Sequence, residues 1–232
     1  MISIIIPTYN EAERIAATII KTKAANIHNY EIEIIVVDGG SSDETIAIAK
    51  ANDATVFISD KKGRAAQMNY GAAAAKGEVL YFLHADSIPP NNFVKYINDA
   101  IEQGFITGCF RLRFDYDHWF LKANAWFTRF NMNAVRFGDQ SLFVTKEVFE
   151  KCRGFREDLY MMEDQEIIHR LKKYGKFIVM NNVVITSARK YLDNGVYRLQ
   201  AIFFRIWLLY YMGYSQQHLL KLYKRLIRKN KL

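Results

Sequence analysis

The sequence predicts an α/β fold: a single domain on a mostly parallel, Rossmann-like sheet, with helices on both faces and a helical tail at the carboxyl end. Strand-like and helix-like segments alternate four times in the first 90 residues, which calls for parallel strands joined by crossover helices. Several of these strands are continuous apolar runs, as strands covered on both faces must be. The strongest of them ends in polar residues able to meet a ligand, and open sheets of this class bind ligands at the carboxyl ends of their strands.

Each element has a local reason. Ile2 to Ile6 is β-branched and closed by Pro7, a buried strand. Asn10, with Glu13 three residues on, has the form of a reciprocal helix cap and predicts a helix to about Ala25. Glu31 to Val37 is a second strand ending in Asp38, followed by Gly39-Gly40 and a second cap pair, Ser41 with Glu44. Thr55 to Ile58 is a third strand, leading to Lys61-Lys62-Gly63-Arg64, and the alanine-rich stretch Ala65 to Lys76 is a helix stopped by Gly77.

Val79 to Asp86 reads as the central strand, left through Pro89-Pro90. It ends in His84-Ala85-Asp86, and a carboxylate there with a histidine two residues before it suits a hard divalent cation held for a phosphate-rich ligand. A helix ends near Gly104, and Ile106 to Phe114 alternates apolar with other residues, a half-exposed strand. His118 to Met132 is an aromatic-rich helical pattern, and Arg136-Phe137-Gly138-Asp139-Gln140 is a loop before a short strand, Ser141 to Val144. Glu163 to Tyr174 is a helix ended by Gly175, and Phe177 to Met180 and Val183 to Ile185 return to strand. No internal repeat or low-complexity linker interrupts this order.

Charge divides the chain at residue 193. The formal net charge is +8, and residues 194–232 hold eight basic residues and no Asp or Glu, so the body, residues 1–193, is neutral and the tail carries the excess. A nucleic-acid binder would spread its basic footprint over the folded domain, so no nucleic-acid partner is expected. Cys109 and Cys152 lie far apart without metal-ligand spacing, which points to a reducing cytosol rather than a disulfide framework or a zinc site. The amino terminus opens directly on a strand, so the protein is expected to stay where it is made, in the cytoplasm.

Carboxylates stand at strand ends or helix starts at Asp38, Asp86 and Glu163-Asp164. Each has a plain structural reading, Asp38 as a turn residue before Gly39-Gly40 and Glu163-Asp164 as helix-capping charge. Pro7-Thr8-Tyr9-Asn10-Glu11 ends the first strand beside the second, so these groups and Asp38 would line one crevice, with a Tyr face to stack on a base. No GxGxxG or GxxxxGK[ST] pattern occurs, which sets aside hydride transfer and P-loop hydrolysis. Phosphates would be met by a cation at Asp86 and by the planar donor fork of Arg64.

Ile4-Ile5-Ile6-Pro7-Thr8-Tyr9-Asn10-Glu11, Val36-Val37-Asp38-Gly39-Gly40-Ser41-Ser42-Asp43-Glu44-Thr45, the helix before Leu83-His84-Ala85-Asp86, and Glu163-Asp164 together resemble the family 2 glycosyltransferases of the GT-A fold. Gly63 to Asn69, Gly138-Asp139-Gln140 and Ser187 to Leu192 are similar to a subgroup of small bacterial members. The resemblance covers residues 2 to about 190. It implies transfer of a sugar, with inversion, from a UDP- or GDP-linked donor to an acceptor hydroxyl, assisted by Mg²⁺ or Mn²⁺. By position it implies that Pro7, Thr8, Tyr9, Glu11 and Asp38 hold the nucleoside and that Arg64, Asn69, His84 and Ala85 complete the donor site. Asp86 would hold the metal, with His84 standing where the family's Asp-x-Asp has its first Asp. Asp164 would be the general base with Glu163 beside it, and Arg136, Asp139, Gln140 and Arg189 would lie on the acceptor side. A nucleotidyltransferase or a non-catalytic sugar-nucleotide or glycan-binding module are the alternatives.

Two readings of the tail stay open. Leu199 to Tyr214 is about 24 Å of helix, short of a roughly 30 Å hydrocarbon core, so a spanning helix is disfavoured. Leu219, Leu222, Tyr223, Leu226 and Ile227 recur at helical spacing among Lys221, Lys224, Arg225, Arg228 and Lys229. Residues 196–231 would either lie on the acidic inner face of the cell membrane, near a lipid-linked acceptor, or dock on the domain.

Overall fold

The computed structural model describes residues 1–136 and 138–228; Phe137, Lys229 and Lys231, which the sequence reading placed in a loop and in the basic tail, lie outside the described residues. In chain order the elements are β1 (Ile2–Thr8), α1 (Ala12–Ala25), β2 (Ile32–Asp38), α2 (Thr45–Ala51), β3 (Thr55–Ile58), α3 (Arg64–Ala74), β4 (Val79–Phe82), β5 (Ser87–Ile88), α4 (Phe93–Glu102) and β6 (Phe105–Phe114). The second half adds α5 (Trp119–Phe127), β7 (Leu142–Thr145), α6 (Lys146–Lys151), α7 (Glu163–Leu171), β8 (Lys176–Thr186), α8 (Arg189–Asn194), α9 (Val196–Tyr211) and α10 (Gln216–Leu226). Two single 3₁₀ turns, Asn133–Val135 and Gly138–Gln140, stand before β7.

The described strands form one sheet in the order β3-β2-β1-β4-β7-β6-β8-β5. β3, β2, β1 and β4 run parallel, while β7 runs against both β4 and β6, and β6 pairs parallel with β8. One face of the sheet carries Ile4, Ile6, Val36 and Tyr81 against Ile15 and Ile19 of α1 and Phe93 and Ile97 of α4. The other carries Ile5, Val37, Leu80 and Phe82 against Met68 and Ala72 of α3 and Ile167 and Leu171 of α7. Alternate residues of one strand thus feed two cores, which is why β1 is apolar apart from Ser3 and Thr8, whose hydroxyls donate to Glu33 and Asp38. Each fully buried Ile contributes about 1.5–3 kcal/mol over an exposed one. A Cβ on Gly71 would meet Ile5 Cγ2 at 2.5 Å, so α3 lies on the sheet as closely as a glycine permits.

The structure differs from the sequence reading in several places. Neither expected cap forms: Asn10 has φ 53°, and its Oδ1 accepts from the Ser42 amide at 2.9 Å rather than from its own helix. Ser41 donates its hydroxyl to Asp38, and α2 begins only at Thr45. The strand read to Asp86 stops at Phe82, because a turn closes from Ser87 N–H to the His84 carbonyl at 3.1 Å. The two strands read around Asn181-Asn182 are one, β8, whose pairing slips between Phe110 and Arg111; the extra residues form a bulge.

The tail packs on the rest of the chain through a third apolar cluster. Leu199, Ile202 and Ile206 of α9 meet Leu121, Tyr191, Tyr223 and Ile227. Of the expected stripe, Leu219, Tyr223 and Ile227 are buried and Leu222 and Leu226 are partly buried, so this side of α10 faces the rest of the chain. Among the described residues no helix is long and apolar enough to cross a membrane.

Candidate active site

The carboxyl ends of β1, β2 and β4 open on a cluster of charged side chains brought in from six segments. β4 delivers His84 and Asp86 in the turn after Phe82, α3 delivers Arg64 from its first residue, and α7 delivers Glu163 and Asp164 from its first turn. The turn before β7 supplies Asp139, and the crossover ends at Glu11 and Arg189 face each other.

Arg64 is the hub. Its Nε donates to Glu163 Oε1 at 2.7 Å and its Nη2 to Asp164 Oδ2 at 3.0 Å, while its Nη1 lies 3.4 Å from His84 Nε2. Burial works against the Arg64 charge, yet Glu163 and Asp164 hold its pKa above the ordinary value. Glu163 is fully buried, and burial pushes its carboxyl up despite Arg64; its Oε2 has no hydrogen-bond partner among the described residues. His84 Nδ1 lies 2.8 Å from Asp139 Oδ1. Burial opposes the charge of both members, but their mutual contact raises the His84 pKa and lowers that of Asp139. The imidazole therefore gives Nδ1–H to the carboxylate and turns Nε2 toward Arg64.

Asp86 is half-buried and makes no hydrogen bond or ion pair among the described residues. Burial raises its pKa, and Asp139 and Glu11 add to the rise. A carboxylate in that negative potential is a group a divalent cation would relieve. Among the described residues no group of three or more His, Cys, Asp or Glu side chains is placed to hold a metal. Glu11 and Arg189 form an ion pair, Arg189 Nη2 lying 3.1 Å from Glu11 Oε2.

Other expected residues have different positions. Arg136 is fully buried, its Nη2 on the Thr128 carbonyl at 2.9 Å and its Nη1 on Cys109 Sγ at 3.0 Å. Gln140 is also buried and donates to the Phe110 carbonyl at 3.0 Å. Both were expected on the acceptor side; they instead satisfy interior carbonyls that would otherwise lack donors. Asn69, expected at the donor, spends its amide on Phe155, donating to its carbonyl at 2.9 Å and accepting from its N–H at 2.8 Å. Asp38 is buried and accepts from the Gly40 and Ser41 amides at 2.9 and 2.6 Å and from the Thr8 and Ser41 hydroxyls at 2.9 and 2.6 Å. Its carboxylate ties β1 to β2, the turn role left open for it. Pro7, Thr8 and Ala85 are buried as well, whereas the Tyr9 ring at the crevice edge is exposed.

Two contributors carried no assigned role in the sequence. Gln67 Nε2 bonds the Thr8 and Val37 carbonyls at 2.7 and 2.8 Å, bracing the two strand ends that shape the crevice; a polar residue on an alanine-rich helix face was its signal. Gly138 lies against the Asp164 carboxylate so closely that a Cβ would fall within 2.7 Å of Asp164 Cγ.

The sequence profile described as Glycosyl transferase family 2 matches residues 3–161, well over half of the chain. The chain belongs to glycosyltransferase family 2. Glu163 and Asp164 lie just past the matched stretch of the family 2 profile. An uncharacterised glycosyltransferase of Rickettsia typhi is 39% identical over 101 residues, 42% of this chain and 31% of that protein. An undecaprenyl-phosphate 4-deoxy-4-formamido-L-arabinose transferase of Pseudomonas savastanoi is 34% identical over 116 residues, 45% of this chain and 33% of that protein. The match thus spans about a third of the length of these curated relatives. Among solved structures, a mannosyltransferase of Pyrobaculum calidifontis in complex with GDP-Man and Mn²⁺ superposes with a TM-score of 0.68 at 18% identity, covering 99% of this chain and 64% of that one. TarS 1–349 of S. aureus in complex with UDP gives 0.66 at 16% identity, covering 80% and 60%. The fold of this family 2 member is GT-A.

Proposed function

We propose that this family 2 member is an inverting glycosyltransferase that moves a sugar from a UDP- or GDP-linked donor to a lipid-linked acceptor in the cytoplasm. The observation that carries the reading is Arg64, shared between two carboxylates on one side and His84 on the other, beside the unpaired Asp86. Two curated relatives support the acceptor class by name, the undecaprenyl-phosphate transferase above and a dolichyl-phosphate beta-glucosyltransferase of Drosophila melanogaster, 29% identical over 99 residues. Cys109 and Cys152, buried and free, suit a reducing compartment.

In this reading the Tyr9 ring stacks on the base, and Arg64 turns its fork to the diphosphate oxygens. Asp86, with His84 two residues before it, would hold Mg²⁺ or Mn²⁺, which would supply positive charge to the departing diphosphate. Asp164 accepts the acceptor proton as the new bond forms on the opposite face of the anomeric carbon. Arg64 and Asp164 are bonded to each other, so donor phosphates that engage the guanidinium also loosen its hold on the base.

Thermal stabilisation of the purified protein by UDP, GDP and ADP, each with Mg²⁺, Mn²⁺ or EDTA, tests the reading. UDP or GDP should stabilise only with metal, and Asp86→Ala should abolish the effect. Equal stabilisation by all three in EDTA would overturn the metal-assisted donor site.

A further inference from the structure

The outward side of α9, like its inward side, carries large apolar side chains. On α9 the buried residues Leu199, Ile202 and Ile206 face the protein, yet Tyr197, Phe204, Leu208 and Tyr211 are exposed, Phe204 by 60%. They recur at intervals of seven, four and three, one stripe along the solvent side of the helix. α5 and the turn after it repeat the pattern: Trp119, Trp126 and, past the helix end, Phe130 are exposed, Trp119 by 67%, while Leu121 is buried in the cluster that holds α9. The two stripes meet where Trp119 and Tyr197 approach to 6.3 Å, and Asn124 bonds Gln200 at 3.4 Å one turn further along. More than half of the large exposed apolar side chains of the described residues fall on residues 116–132 and 192–214. Water-soluble surfaces rarely gather so many without a partner.

Charge selects the partner. Residues 118–138 and 194–232 contain no Asp or Glu. Arg129 lies over the Trp126 ring at 4.5 Å and is exposed, as are Arg205 on α9 and Lys221, Lys224 and Arg225 on α10. Asp117, just outside the first segment, is paired with Lys122 at 2.6 Å. A second copy of the chain laid on this face would set arginines against arginines. Tryptophan, tyrosine and phenylalanine interspersed with arginine and no acid is instead the composition that settles at the headgroup level of a bilayer, drawn there by acidic lipid. The stripe also ends at the chemistry: Tyr211 Oη bonds Gln165 at 3.0 Å, the residue after Asp164.

We infer that α5 and α9 together form the face by which this protein lies on an anionic lipid bilayer, with the mouth of the crevice at the membrane surface. The basic side chains of α10 add attraction, while its own apolar stripe stays in the protein core. The inference stands apart from the transferase reading, since attachment is read without any sugar donor.

The test is flotation of the full chain with vesicles of pure phosphatidylcholine and with vesicles containing phosphatidylglycerol, read beside tryptophan fluorescence and gel filtration. Protein should float with the anionic vesicles alone, with a blue-shifted emission, and be released by high salt. Trp119→Gln with Phe204→Gln should weaken binding roughly tenfold or more, and Arg129→Gln with Arg205→Gln should weaken it severalfold. All four positions are exposed, so melting temperatures should stay unchanged. Failure to float with either vesicle would overturn the inference, as would binding untouched by both variants, or a dimer in gel filtration that the Trp119/Phe204 variant makes monomeric.

Discussion

Arg64 Nη2 and Asp164 Oδ2 stand 3.0 Å apart, so the guanidinium assigned to the donor and the carboxylate assigned to the acceptor form one unit. The bond occupies the carboxylate oxygen that would take the acceptor's proton until the guanidinium is drawn elsewhere, and donor phosphates are what would draw it. Asp164→Asn should therefore keep metal-dependent binding of UDP or GDP while losing sugar transfer by about 100-fold or more, the scale of a general base. Binding by calorimetry and transfer by labelled donor check the two halves. Near-normal transfer by the Asn variant would move the base elsewhere.

Arg64 also neutralises Glu163, whose side chain is 2% exposed. Arg64→Ala leaves that carboxylate buried and alone, at a cost of about 2–3 kcal/mol; this is below the usual cost of breaking a buried pair because the Arg64 side chain is 39% exposed. The sign with pH follows. Burial already raises the Glu163 pKa, and loss of Arg64 raises it further. A carboxyl with a higher pKa folded than unfolded binds more protons in the folded state, so stability falls as pH rises from the unfolded value, about 4.3, through the folded one. The deficit of Arg64→Ala against wild type should be larger at pH 8 than at pH 5 in thermal melts. An equal deficit at both would mean that Glu163 is not the charge left behind.

The parallel strands were legible because a strand covered on both faces must be largely apolar, and β4 is throughout, while β1 and β2 are apart from Ser3, Thr8, Glu33 and Asp38. The cluster around Arg64, His84 and Asp164 was legible only in outline, since each residue sits at a strand end or helix start where sequence places it in depth but not in direction. Arg136 was misread because an arginine is ordinarily a surface group, and nothing in the sequence near it announces the Thr128 carbonyl that it satisfies. The caps failed for a similar reason. Asn10 and Ser41 form local cap patterns, but they are neighbours across two loops, and the bonds between β1 and β2 win over bonds within each helix. The stripe on α9 was visible as apolar content, while the division into an inward and an outward face required α5 and α10 to be in place.

Asn69 separates a structural role from a donor role. Both ends of its amide are bonded to the Phe155 backbone, and Gly154 at φ +60° packs on its Oδ1. Asn69→Ala removes both bonds and leaves a peptide unit short of partners, which should cost about 1–3 kcal/mol in a chemical melt. Affinity for the nucleoside diphosphate should not change beyond twofold. A large loss of affinity with normal stability would return Asn69 to the donor site.

Gly138 gives the sharpest test of the geometry, because the atoms an added Cβ would meet first all belong to the Asp164 carboxyl group. A Cβ there would fall 3.0 Å or less from Asp164 Cγ and Oδ1, closer than atoms of that size tolerate, so one group must shift. Asp164 is short and pinned by Arg64, and Gly138 opens a turn bonded to Ser141 at 3.0 Å; both routes disturb the base more than the sheet. Gly138→Ala should lose about 1–3 kcal/mol at most, the range for overpacking, and should bind donor normally. Transfer should fall at least tenfold, since a reacting group displaced by an ångström loses much of its effect. The decisive measurement is the double variant. If Gly138 acts through Asp164, then Gly138→Ala added to Asp164→Asn should cost no further activity, a coupling that independent sites would not give. A full additive loss in that cycle would mean that the glycine serves something other than the base.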